Sequence, residues 1–258
     1  KGLISGDSLR INFQKEVFGE DFRYEDYKHI FKAELFDADS WAELFKRSGA
    51  KYVVFTSKHH DGYCMYDSRY AKGWSSATTA PQRDFCKELT DAVRKRDMKM
   101  CMYYSLTEWT NPLYRWTVDT LKSIDEYVEK HLHPQFKEMV DMFSPSLVFS
   151  DGDWDFDYKT FKSDELVSYY FDKVGEEAIV NDRWGGGFDY GYVTPEYSEA
   201  IKQTERPWAE CRGLSRSFGL NRNADLESYL TSEELIRHFV RLVAAGGGLT
   251  INVGPAAD

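Results

Sequence analysis

The sequence predicts an α/β protein in which a parallel sheet is covered by helices. Short apolar runs such as KYVVFTS and SLVFS alternate with amphipathic helical patterns, and continuous apolar strands are typical of sheets buried on both faces. The length of 258 residues is normal for one (β/α)8, or TIM-type, barrel, and no repeat or low-complexity linker divides the chain. A doubly wound sheet shows the same alternation, so the pattern alone leaves both architectures open.

The individual elements follow from hydrophobic periodicity and from helix start signals. Strands are predicted at 51–57, 98–106, 146–150, 177–181 and 249–254, with one or two more between 188 and 218. Helices are predicted at 40–49, 84–96, 117–143, 163–174 and 231–245, after an irregular stretch at 1–35. Two of these helices open on a capping box, formed by Ser40 with Glu43 and by Thr231 with Glu234. A full barrel needs eight strands, so the predicted set falls short.

Composition excludes several classes of function. The net charge of −10 argues against nucleic acids and anionic membranes, because phosphate binding needs clustered Lys and Arg. No apolar run approaches the roughly 20 residues that span a bilayer. The sequence starts at Lys1 with no recognisable targeting segment, so the pattern predicts no compartment. The four cysteines lack CxxC or zinc-type spacing, and we expect Cys86 and Cys101 to be buried free thiols.

Carboxylates follow the predicted strands at the end where α/β enzymes place their active sites. Asp151 is the first residue after SLVFS, within DGDWDFD. A retaining glycosidase needs such a carboxylate to attack the anomeric carbon, and a second carboxyl group to protonate the leaving oxygen. Glu196 lies beside Tyr197 in a later loop, where an apolar setting would raise its pKa as a general acid requires. The alternative for both is a solvated loop acid or a turn residue.

Two histidines, His59 and His60, directly follow the first predicted strand. Such side chains can bind sugar hydroxyls or a metal, but neighbours on a strand point to opposite sides, which makes joint ligation of one ion awkward. The alternative is one buried and one surface histidine. The remaining histidines are interpreted as structural, because two lie in a helical pattern and two are isolated: His131, His133, His29 and His238.

The pair Glu108–Trp109 follows the second predicted strand. It is interpreted either as a substrate-binding pair or as a helix-start acid beside a core Trp. The high aromatic share of 16% is compatible with both a large core and stacking platforms for sugar rings. The glycine triplets at 185–187 and 246–248 match no phosphate-binding pattern, and no G-x-S-x-G motif indicates a serine hydrolase.

Five segments, in order from about residue 18 to the end, closely resemble glycoside hydrolase family 29, the α-L-fucosidases: FKAELFDADSWAELFKRSGAKYVVFTSKHHDGYCMYDS, YYSLTEW, VFSDGDW, IVNDRWG and GGGLTINVGP. The resemblance implies a β/α barrel and a retaining mechanism without metal or organic cofactor. It also implies that Asp151 is the nucleophile and Glu196 the acid/base. The substrate-binding residues expected are His59, His60, Glu108, Trp109, Arg183, Trp208 and Phe218, with the last two forming an aromatic wall against the fucose methyl group.

The chain departs from this family pattern at three places. The I-H-W-G-like and E-W-Y segments of the family's first strand are not present, and Phe149 stands where a Trp usually precedes the nucleophile by two residues. The family's C-terminal β-sandwich is not present either. We therefore expect one catalytic barrel domain at 1–258, incomplete at its N-terminus.

The predicted function is an exo-α-L-fucosidase acting on fucosylated glycans or glycoconjugates, with no nucleic-acid or membrane partner. The family implies a secreted, periplasmic or lysosomal location, and the absence of an N-x-S/T sequon favours the bacterial periplasm or secretion. One alternative is a non-catalytic carbohydrate-binding relative. Another is a metal-dependent barrel hydrolase built around His59, His60 and Asp61.

Overall fold

The computed structural model describes residues 6–114, 124–198, 205–221 and 224–255. Within these ranges the strands form two sheets, with order β1-β2-β3-β4 and β5-β6, and every pairing is parallel. The strands are β1 Tyr52–Lys58, β2 Lys99–Ser105, β3 Leu147–Asp151, β4 Ile179–Val180, β5 Ala209–Gly213 and β6 Gly248–Asn252. The predicted strands are thus confirmed, and β5 lies within the interval where one or two more were expected.

Further contacts link the two sheets in the order expected around a barrel. Parallel bridges join Asn181 to Tyr192 and Val193 to Trp208, so residues 192–193 run as part of an irregular strand between the two sheets. On the other side, Tyr52 Oη of β1 lies 2.8 Å from Thr250 Oγ1 of β6. The α/β class is confirmed, and the arrangement is consistent with part of a (β/α)8 barrel.

The helices alternate with the strands from α3 onward. They are α1 Ser8–Phe18, α2 Tyr27–Ile30, α3 Ala38–Arg47, α4 Phe85–Arg94, α5 Asp125–Tyr127, α6 His133–Phe143, α7 Tyr158–Phe161, α8 Ser163–Val174 and α9 Ser232–Ala244. A π-helical turn, Val128–Leu132, joins α5 to α6. The predicted helix at 117–143 is confirmed from 125 onward, and its start falls partly on residues 115–123, outside the described residues.

Two predictions near the N-terminus are wrong. The stretch 1–35 is not wholly irregular, because α1 forms there with Asp7 as N-cap. No residue of α1 is buried, so the helix lacks the apolar periodicity by which helices are recognised. Ser40 does not open α3 either; Asp37 is the N-cap, and its carboxylate accepts from Ser40 N at 2.7 Å. The capping box of Thr231 and Glu234 at α9 is confirmed.

The core lies on both faces of the first sheet. Along β2, Met100, Met102 and Tyr104 pack against helices, whereas Cys101 and Tyr103 face the interior of the barrel-like sheet. The second set packs with Tyr52, Val54, Leu147, Phe149, Tyr192 and Cys211. The predicted thiols Cys86 and Cys101 are buried and free, and no helix in the described ranges is long and apolar enough to cross a membrane.

Candidate active site

Asp151 is the last residue of β3 and is held by three side chains from neighbouring elements. Tyr103 Oη donates to Oδ2 at 2.6 Å, Arg183 Nη1 donates to Oδ1 at 3.1 Å, and His60 Nε2 lies 3.5 Å from Oδ2. Burial acts to raise the pKa of Asp151, but the Tyr103 hydrogen bond and the charges of Arg183 and His60 outweigh it and lower the pKa. The carboxylate is therefore kept ionised in a largely buried position, as a nucleophile requires.

Glu196 shares its cationic partner with Asp151. Its Oε1 atom lies 2.6 Å from the same Nη1 atom of Arg183, and the guanidinium is fixed from behind by Thr194, whose hydroxyl and carbonyl oxygens both accept at 2.9 Å. The two carboxylate oxygens cannot be farther apart than their two contacts with Nη1 allow. That limit leaves room for the separation of about 5–5.5 Å found between the carboxyl groups of retaining glycosidases. The side chain of Glu196 is 43% exposed and pairs with Arg183, so the apolar setting expected for this residue is not found.

The two predicted histidines lie together beside Asp151. The β1–β2 register shifts between Thr56 and Lys58, and such an irregularity redirects the residues that follow. His60 is buried with Nδ1 2.7 Å from Ser105 Oγ, while exposed His59 stacks on the Tyr103 ring at 5.4 Å. Their own ring centroids are 4.1 Å apart, so the expectation that they point to opposite sides is wrong, because both lie at or beyond the end of the strand.

The neighbours Glu108 and Trp109 occupy different positions. Trp109 packs on the His60 ring at 4.8 Å, and its backbone N–H donates to His60 O at 2.7 Å. Glu108 lies behind this contact, where Oε1 accepts from Lys58 Nζ at 2.7 Å. Its other oxygen accepts from Asn111 Nδ2 at 2.9 Å. Direct contact of Glu108 with a substrate stays a prediction, and its carboxylate is already bonded on both oxygens inside the protein.

The aromatic residues predicted to contact the substrate are also separated. Phe218 packs edge-on against Tyr197, the residue after Glu196, with centroids 5.2 Å apart, so it lies near the loop of the second carboxylate. Trp208 is buried at the β5–β6 pair, where a Cβ added at Gly247 would lie 2.3 Å from its ring. The role of either ring in sugar binding stays a prediction.

The HxH pair lies in helical structure, as predicted. His131, in the π-helical turn, has Nε2 2.8 Å from Glu108 Oε1, and His133 in α6 has Nε2 2.9 Å from Phe161 O. In the ranges that the structure describes, no group of three or more His, Cys, Asp or Glu side chains is arranged to hold a metal ion.

Sequence reasoning missed three residues of this region. Tyr103 lies within an apolar run of the sequence, but strand alternation with Cys101 places it on the interior face. Trp154, three residues after Asp151, is exposed and packs edge-on against His60 at 5.1 Å. Glu210 is fully buried on β5 and accepts from Ser198 N at 3.0 Å, and no periodic signal marks it.

Comparison with known proteins identifies the family. A family model described as Alpha-L-fucosidase matches residues 5–258. The chain belongs to the α-L-fucosidase family. Among solved structures of the family, a Thermotoga maritima α-L-fucosynthase in complex with α-L-Fuc-(1-2)-β-L-Fuc-N3 has a TM-score of 0.86 and 34% identity, covering 99% of this chain and 58% of that one. A Thermotoga maritima α-fucosidase in complex with fucose has a TM-score of 0.83 and 32% identity, covering 99% and 59%.

Curated α-L-fucosidases give the same result at the sequence level. The Dictyostelium discoideum α-L-fucosidase is 37% identical over 257 residues, covering 95% of this chain and 55% of the relative. The human plasma α-L-fucosidase is 33% identical over 259 residues, covering 96% and 55%. This member of the α-L-fucosidase family therefore spans little more than half the length of these relatives.

Proposed function

We propose that the chain is the catalytic barrel domain, over residues 1–258, of a retaining exo-α-L-fucosidase. The observation that carries the proposal is the pair of carboxylates, Asp151 and Glu196, that meet on one nitrogen of Arg183. A buried, ionised carboxylate beside an exposed one that shares its cationic partner fits the arrangement that double displacement needs. Membership of the α-L-fucosidase family supports fucose as the sugar.

In the first half of the reaction, an Asp151 oxygen forms a bond to C1 of the fucosyl residue. The glycosidic C1–O bond breaks, and Glu196 transfers its proton to the departing oxygen. In the second half, Glu196 as carboxylate takes a proton from water, whose oxygen attacks C1 and releases Asp151. Two inversions at C1 give net retention of configuration.

The remaining predicted residues surround these two groups. His60 and Trp109 pack together next to Asp151, a position from which they contact the fucosyl ring. His59 stacks on the ring of Tyr103, whose hydroxyl donates to Asp151. Phe218 covers the Glu196 side, with Trp208 deeper at β5. The substrates are fucosylated glycans or glycoconjugates in a secreted, periplasmic or lysosomal setting. An extracellular setting is supported by the plasma enzyme among the relatives.

The test is release of 4-nitrophenol from 4-nitrophenyl α-L-fucoside by the chain and by its Asp151→Asn variant. Loss of the nucleophile should lower kcat by about 10³-fold or more, while L-fucose still binds. Asp172→Asn, at an exposed position of α8, is the matched control and should keep full activity. Unchanged turnover in Asp151→Asn contradicts the assignment, and fucose binding without any hydrolysis by the unaltered chain favours the non-catalytic alternative.

A further inference from the structure

A buried ion pair lies directly behind the candidate site. Lys58, at the end of β1, and Glu108, just after β2, are almost completely inaccessible to solvent, with Nζ and Oε1 2.7 Å apart. A charge removed from water to this degree is costly unless it is paired and fully hydrogen-bonded. The presence of an ion pair at this buried position therefore requires a structural or functional explanation.

The surrounding side chains satisfy both charges. Lys58 Nζ also donates to Gln135 Oε1 at 3.0 Å and lies 4.1 Å from the centre of the Tyr104 ring. Glu108 accepts in addition from Asn111 at 2.9 Å and lies 2.8 Å from His131 Nε2. Burial acts to raise the pKa of Glu108, but the Lys58 charge and the His131 hydrogen bond lower it to about 2. The Glu108 carboxylate is thus ionised throughout the ordinary pH range.

Two irregularities of the backbone bring these side chains together. The β1–β2 register shift between Thr56 and Lys58 sets Lys58 opposite Tyr104, whose side chain packs in the helix-facing core. The π-helical turn Val128–Leu132 carries His131. Bulges and π-turns interrupt regular hydrogen bonding and are frequent near functional sites. The register shift thus places Lys58 next to Glu108, and the π-helical turn places His131 next to it.

The network is tied to the site through short stretches of backbone. Lys58 immediately precedes His59, and Glu108 immediately precedes Trp109. The Trp109 N–H donates to His60 O at 2.7 Å. This hydrogen bond joins the loop after β1 to the loop after β2 next to the Lys58–Glu108 ion pair. Gly62 packs directly against Glu108, because a Cβ at this position would lie 2.8 Å from Glu108 Oε2.

We propose that Lys58, Glu108 and His131 form a buried positioning network that holds His60 and Trp109 in register against the sugar site. The proposal rests on the proposed function for the identity of the sugar. It makes Glu108 a positioning residue, which acts through Trp109 and His60 and does not itself touch the fucosyl ring.

The test separates positioning from stability by comparing single and double variants. Lys58→Met and Glu108→Gln each leave one buried charge without its partner, and each should lower Tm by roughly 10 °C. The double variant contains neither charge at nearly the same side-chain volume, so its Tm should return to within a few degrees of the unaltered chain. Its Kd for L-fucose, followed by tryptophan fluorescence, should still be raised roughly tenfold, because small displacements of binding groups carry large costs.

The matched control makes the same two substitutions in an exposed pair, Lys130→Met with Glu126→Gln. It should keep the original Tm and Kd. A folded double variant with the Kd and kcat/KM of the unaltered chain overturns the positioning role. If the unaltered chain binds L-fucose but releases no 4-nitrophenol, the proposed hydrolysis is wrong, and the Kd comparison still decides the role of the network.

Discussion

The chemistry of Asp151 depends on side chains that come from three other parts of the chain. Its lowered pKa reflects Tyr103 from β2, Arg183 after β4 and His60 after β1, acting against burial. The sequence indicated Asp151, His60 and Arg183 through the motifs that carry them. It did not indicate Tyr103, because a tyrosine within an apolar strand is most often a core residue. Motifs are enough to identify these residues, but the hydrogen bonds between them can be predicted only when the register of the strands is known.

Replacing Tyr103 with Phe tests the pKa argument. The hydroxyl stabilises the ionised form of Asp151 through the 2.6 Å hydrogen bond, so its loss should raise the pKa of that carboxyl group. A carboxyl group with a raised pKa takes up its proton at a higher pH than before. The acidic limb of the kcat/KM–pH profile should therefore move to higher pH, with activity at neutral pH lowered about tenfold.

Tyr170→Phe is the control, because Tyr170 is also buried and its hydroxyl donates to Pro145 O at 2.8 Å, away from Asp151. It should lower stability without moving the pH profile. An acidic limb in Tyr103→Phe that coincides with that of the unaltered chain contradicts the proposed control of the Asp151 pKa.

At the scale of elements, the turn after β3 determines where the Asp151 side chain points. Gly152 has φ +80°, and a Cβ added there would lie 2.7 Å from Thr107 Oγ1. Thr107 is fully buried and bonded to Ser105, so it has little freedom to move. Glycine is therefore required both by backbone conformation and by the close approach of the loop after β2.

Gly152→Ala should lower the free energy of unfolding by about 3 kcal/mol and lower kcat/KM at least tenfold, since the strain falls on the residue after Asp151. Gly49→Ala is the matched control, because Gly49 has a similar φ of +85° but no atom within 4 Å of an added Cβ. It should cost about 1 kcal/mol and leave kcat/KM unchanged. Urea unfolding and steady-state kinetics measure both effects, and equal losses in the two variants contradict the steric part of the argument.

The elements that the sequence predicted best are those with strong periodicity and clear caps. Helix α8 begins and ends where the pattern placed it, and the capping box of α9 is present. Helix α1 was missed because it buries nothing. The bulge in β1 and the π-helical turn were also missed, since both depend on tertiary contacts around Lys58 and His131 and leave no local signal.

For the whole molecule, the alternation of strands and helices was sufficient to predict an α/β fold with candidate active-site residues at the C-terminal strand ends. The irregular strand at 192–196 was harder to recognise, because it pairs through isolated bridges and carries a proline before Glu196. Net charge and composition were consistent with a neutral substrate. Which carboxylates pair, however, follows only from the three-dimensional position of Arg183.

The central claim is that Asp151 becomes covalently bonded to the sugar. Incubation with 2-deoxy-2-fluoro-α-L-fucosyl fluoride, whose fluorine slows the second step, should leave one fluorofucosyl group per chain, detected by intact mass spectrometry. Peptide mapping should then place that group on Asp151, and the Asp151→Asn variant should remain unlabelled. A label on another side chain, or a first product with inverted anomeric configuration in NMR spectra of the hydrolysis reaction, would contradict the account.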